Sequence, residues 1–173
     1  HRRMNAAAAP PLLSEDVAAF IQGGVSMTVA SRDDRLVPSI VKACGCRVSD
    51  DRRTVTLLMF AEPAAAVARD IAHGGQAAVV FSQPSTNRTL QLKGRDVRPV
   101  PVQPADVALV RRYLALFADE LGHLGWDLAY VEALFWHDPS QLIAVRFTPE
   151  GAFQLTPGPG AGAPMGLPSG SPP

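Results

Sequence analysis

The sequence predicts an α+β domain in which six short antiparallel strands form a barrel with flanking helices. Runs of apolar and β-branched residues alternate with polar turns too short for parallel crossovers. Helical stretches with three- and four-residue apolar spacing stop at glycines between those runs. Closing such a meander into a barrel removes its exposed strand edges.

Ser14 opens the first helix as an N-cap, with Glu15 and Asp16 in the first turn and Val17, Phe20 and Ile21 on one side. Gly23-Gly24 ends it. Val25 to Ser31 alternates as the first strand, and Arg32-Asp33-Asp34-Arg35 is a polar turn. Leu36 to Val48 reads as a second strand interrupted by Pro38 and Gly45, residues that mark an edge or a bend. Thr54 to Phe60 is a third, strongly apolar strand. Pro63 to Ala72 is an alanine-rich helix stopped by Gly74-Gly75.

Ala77 to Ser82 and Thr89 to Val97 form the fourth and fifth strands around a polar loop. Pro104 opens the longest helix, with Val107, Val110, Leu114, Phe117 and Leu121 on one stripe. A shorter helix runs from Leu128 to Phe135, and Gln141 to Phe147 is the sixth strand. Residues 14–155 are read as the domain, residues 1–13 as a flexible leading segment with Met4 as the start, and residues 156–173 as a Gly/Pro-rich tail free in a solitary chain.

Composition narrows the function classes. The chain has 173 residues, with 16 basic side chains against 16 acidic ones, so it lacks the charge excess that phosphate-backbone binding needs. No apolar run approaches the roughly 20 residues that span a bilayer. The expectation is a cytoplasmic protein with neither nucleic acid nor membrane as partner. Cys44 and Cys46 read as buried structural thiols, since i and i+2 on a strand are poorly placed for a disulfide. His73, His123 and His137 show no metal-ligand spacing, so no metal site is expected. There is no P-loop and no G-x-S-x-G elbow, and no catalytic residue is nominated.

Three segments carry a resemblance. Val25-Ser26-Met27-Thr28-Val29-Ala30-Ser31, a polar turn and Leu36-Val37-Pro38 are similar to the opening hairpin of the pyridoxamine 5'-phosphate oxidase-like FMN-binding split barrels. Ala66 to Phe81 resembles that superfamily's helix followed by a strand of small residues. Arg88-Thr89-Leu90-Gln91-Leu92-Lys93-Gly94 looks like the strand ending in glycine that lines its flavin pocket. The likeness spans roughly residues 14–150 and implies a split β-barrel.

It further implies a homodimer with FMN at the subunit interface, a small-molecule substrate, and flavin-dependent oxidoreductase chemistry. Members grip the flavin phosphate with basic side chains after the first hairpin and at the start of the helix after the third strand. The corresponding positions here fall near Val41 and Cys46, which cannot donate, and at Ala64-Ala65-Ala66, which offer only backbone amides. Lys42 is one step along the strand and therefore on the opposite face.

The candidate cofactor contacts are Ser39, Lys42, Ser82, Arg88, Thr89 and Gln91. Arg88 is taken for charge, and Thr89 or Gln91 for hydrogen bonds to the flavin or its ribityl chain. Arg88 reads equally as a solvated loop cation, and Gln91 as an outward strand residue. The missing phosphate grip leaves a second reading open, a split barrel that has lost flavin and serves as a ligand-binding or interaction module. A third is a haem binder.

Overall fold

The computed structural model describes residues 8–168. Among the described residues, ten strands, all paired antiparallel, make two sheets. The first strands are β1 (Ser26–Arg32), β2 (Pro38–Lys42), β3 (Gly45–Val48), β4 (Val55–Phe60), β5 (Ala77–Ser82) and β6 (Thr89–Gly94). β7 (Arg98–Val100), β8 (Leu142–Phe147), β9 (Gly151–Gln154) and β10 (Pro164–Met165) complete the set. The larger sheet runs β10-β9-β6-β5-β1-β2, and the smaller runs β3-β4-β8-β7. The architecture is the expected α+β split barrel, made of two packed sheets rather than one closed ring.

Two of the four strands beyond the expected six arise where an expected strand changes sheet. The expected second strand changes sheet midway. The Ala43 amide bonds to Met27 O of the larger sheet at 2.9 Å, and the next amide, Cys44, bonds to Leu58 O of the smaller one at 2.8 Å. Gly45 follows because the backbone lies against the long helix that begins at Asp106. A Cβ there would stand 2.8 Å from a Leu109 methyl. The expected fifth strand likewise stops at Gly94, and the chain crosses to β7.

Four helices flank the sheets: α1 (Glu15–Ile21), α2 (Ala65–Gly74), α3 (Asp106–Gly122) and α4 (Leu128–Phe135). The Ser14 hydroxyl caps α1 by accepting from Val17 N at 3.1 Å, as its residue type predicts. Between the sheets, Met27, Val29, Val79, Phe81, Leu90 and Leu92 meet Leu57, Met59, Val145 and Phe147, all buried. α3 covers the other side of the smaller sheet, and the Tyr113 hydroxyl donates to Val25 O at 2.8 Å.

Leu12 and Leu13 are buried, and both amides bond to Arg52 O. Pro164 and Met165 pair with Phe153 and Ala152, which extends the larger sheet, and Met165 and Leu167 pack on the core. These few apolar residues in a Gly/Pro-rich stretch suffice to dock it on an open strand edge. Residues 1–7 and 169–173, the outer parts of the two terminal segments, lie outside the described residues. Cys44 and Cys46 are free and buried. Among the described residues, no helix is long and apolar enough to cross a membrane.

Candidate functional site

The face of the larger sheet turned away from the core is the surface that the fold leaves open. Directly opposed residues of antiparallel strands share a face, so the registers give its rows. Lys42, Thr28, Val80, Gln91 and Phe153 form one row across five strands. Ile40, Ala30, Ala78, Lys93 and Gly151 form the next. A solvated antiparallel face is normally polar. This one is mixed: Ile40 is 68% exposed, and Ala30, Ala78, Val80 and Phe153 are half-buried.

At the β2 edge the face falls into a cleft of about 310 Å³ lined by Ile40, Lys42, Phe60, Pro63, Phe135 and His137, with Leu134 at its rim. Its polar equipment is small. The Lys42 ammonium donates to Ser26 Oγ at 2.7 Å and Thr28 Oγ1 at 2.8 Å, which leaves a third N–H available. Partial desolvation draws the Lys42 pKa below the usual lysine value. An anion beside it would oppose that shift. The adjoining first turn of α2 carries no capping side chain and no acidic residue, although its Ala65 amide already bonds to Glu62 O at 3.3 Å.

The six residues predicted from the sequence divide by strand face. Lys42, Ser82, Thr89 and Gln91 are brought together on the open face. Ser82 and Thr89 bond to each other, Oγ to Oγ1, at 2.8 Å. Gln91 has no side-chain hydrogen bond among the described residues and is half-buried. Ser39 and Arg88 are not part of this group. The Ser39 hydroxyl points inward and donates to Asp70 Oδ2 of α2 at 2.6 Å. Arg88 is held by α1: its guanidinium pairs with Asp16 at 2.6 Å and lies 4.2 Å from the Phe20 ring centroid. The charge sought in Arg88 is spent on tethering a helix.

Sequence reasoning missed the apolar walls, Phe60, Leu134 and Phe135. A signal existed. α4 is apolar or aromatic at every position but Glu132, yet buries only Val131. Phe60 is the last residue of β4, and its ring lies 5.0 Å from the His137 ring. His137 is exposed, and no group of three metal-ligating side chains occurs among the described residues.

No family model matches the sequence, and no curated protein matches it. Solved structures do match by fold. HupZ of Group A Streptococcus is 15% identical with a TM-score of 0.52, over 87% of this chain and 98% of that one. An F420 reductase is 13% identical with a TM-score of 0.52, over 81% and 98%. A putative pyridoxamine 5'-phosphate oxidase from Lactobacillus delbrueckii is 13% identical with a TM-score of 0.50, over 82% and 93%. At these identities the likeness is one of fold. The chain shares its fold with these proteins.

Proposed function

We propose that this protein is an FMN-binding homodimer of oxidoreductase type, with the flavin lying on the open face of the larger sheet beneath a second copy. The observation that carries the reading is the placing of Lys42, Thr28 and Gln91 in one row of that mixed face, which ends at the cleft beside Lys42 and the start of α2. The residues present fit a flavin in kind. Lys42, with the first-turn amides of α2 that follow Ala65, is the donor for the phosphate. Thr28 and Val80 offer a level strip for a flat ring. Gln91 lies three strand spacings from β2, roughly 14 Å away, and with Thr89 serves the ring or ribityl end.

FMN supplies the redox chemistry when bound, so the chain needs few reactive groups of its own. Its residues bind, orient and exclude water. The fold likeness to an F420 reductase and to a putative pyridoxamine 5'-phosphate oxidase supports the same class of ligand.

A second reading follows from the thinness of the grip: a barrel without flavin that binds another small ligand. Lys42 is the only Lys or Arg lining the cleft, it already donates twice, and the cleft walls are apolar. Thermal unfolding with FMN separates the two. Under the flavin reading, FMN at a hundredfold excess over its dissociation constant stabilises the fold by about 2.7 kcal/mol. Lys42→Met then weakens FMN binding about tenfold, the loss expected for one charge-assisted hydrogen bond. An unfolding curve indifferent to FMN leaves the flavin-free reading standing.

A further inference from the structure

The outer face of the smaller sheet, turned away from the larger one, carries three arginines in one row. The registers set Arg98 of β7 opposite Arg146 of β8, Arg146 opposite Thr56 of β4, and Thr56 opposite Arg47 of β3. In the neighbouring row Ala144 and Leu58 are buried, and Gly45 lies against Leu109 of α3. The arginine row begins beside Asp106, the first residue of that helix.

The three arginines differ in what neutralises them. Arg47 holds Asp106 with two arms of its guanidinium, Nε to Oδ1 at 3.0 Å and Nη2 to Oδ2 at 3.4 Å, and that carboxylate is 1% exposed. Arg98 has a looser partner. Asp96 Oδ2 lies 3.7 Å from its Nη1, with both side chains about half in solvent, where such a pair is weak. Among the described residues Arg146 has no carboxylate partner: its Nε donates to the Thr56 hydroxyl at 3.2 Å, and its two terminal nitrogens are open to solvent.

That arrangement is unfavourable in the isolated chain. Like charges directly opposed on neighbouring strands repel, as Arg98 and Arg146 do. Arg146 is half-buried over Thr56, itself 2% exposed, so water screens its charge incompletely. A cation so placed is normally paired. The Arg47–Asp106 fork shows which partner this surface takes, a carboxylate. Access is open as well. β7 is an edge of the sheet, and Pro99 within it has no N–H with which to add a further strand, so a visiting segment lies across the face instead of extending it.

We infer that this row docks an acidic segment of a partner protein. One carboxylate seats in the free fork of Arg146, and a second takes Arg98 from Asp96. The two forks stand one strand spacing apart, about 4.8 Å, which calls for two carboxylates held together in one segment. The row is on the other sheet from the proposed flavin face, and neither flavin nor the dimer enters the argument.

The test is an NMR titration of the full chain at low ionic strength, following backbone amides and arginine Nε–Hε signals. The probes are acetyl-Asp-Glu-Asp-Glu-amide, its uncharged counterpart acetyl-Asn-Gln-Asn-Gln-amide, succinate and a short DNA duplex. The acidic peptide is expected to shift Arg146 and Arg98 saturably and to leave Arg47 in place, and the uncharged peptide to shift none of them. Arg146→Gln weakens the acidic peptide about tenfold, while the thermal midpoint of the free chain holds or rises, because the repulsion from Arg98 is gone. Arg98→Gln, at an exposed edge position, weakens the peptide by a smaller factor. Absence of saturable shifts overturns the proposal, as does an equal response to the uncharged peptide or to succinate. A stronger response to DNA than to the peptide overturns it too, and so does an Arg146→Gln variant that melts lower yet binds as before. Because FMN is absent throughout, failure here leaves the flavin reading intact, and a protein indifferent to FMN can still pass.

Discussion

Ser39 and Arg88 show how one residue of register decides a role. Side chains alternate along a strand, so Ser39 and Lys42, three positions apart, cannot share a face, and neither can Arg88 and Thr89. Their residue types suited a flavin contact, and the resemblance placed them near one. Parity turned both away from the open face. Ser39 instead holds Asp70, a 3%-exposed carboxylate. Its hydroxyl, helped by Arg69, draws the Asp70 pKa below the usual carboxylate value. A carboxylate whose folded pKa is lowered contributes stability above its unfolded pKa of about 3.9 and loses it as pH falls through the folded value. Ser39→Ala therefore destabilises the fold at neutral pH and flattens the loss of stability on acidification, as read by denaturant unfolding at stepped pH. Cys44 behaves as an apolar side chain: burial pushes its thiol up to about 12, and that of Cys46 higher still. Neither should react with Ellman's reagent at pH 8 until the protein is unfolded, and two thiols should appear when it is.

Elements were legible wherever their pattern was local. The Ser14 cap, the stripe of α3 and the bounds of α4 follow from spacing and end signals. The sheet change at Ala43 and Cys44 does not, because consecutive amides there bond to Met27 and Leu58, partners that only the folded chain brings together. Gly45 marked the bend without revealing which sheet followed. β10 was invisible for a related reason: a two-residue strand in a Gly/Pro-rich stretch has no period, and what fixes it is the free edge of β9. Gly94 belongs at this scale too. A Cβ there would lie 2.7 Å from the Phe147 ring where the two sheets meet. Gly94→Ala should cost about 1–3 kcal/mol, the range for overpacking a tight contact, measurable as a lower denaturation midpoint at unchanged slope.

At the scale of the whole molecule, the open face explains both the proposed assembly and the proposed site. Ile40, Val80 and Phe153 lie on a surface with no covering helix, while α2, α3 and α4 pack elsewhere. Apolar residues on an uncovered sheet face suit the proposed interface, and a second copy seated there would close the strip between Lys42 and Gln91 from water. Ile40→Lys should move the protein toward monomer in sedimentation velocity while the far-ultraviolet spectrum stays native, because Ile40 takes no part in the core. The measurement that bears most directly on the account is the visible absorption spectrum of the protein after incubation with FMN and desalting. The account predicts a retained flavin band approaching one FMN per chain, lost together with the dimer in the Ile40→Lys variant. A desalted protein that is colourless while fully folded and dimeric would contradict it.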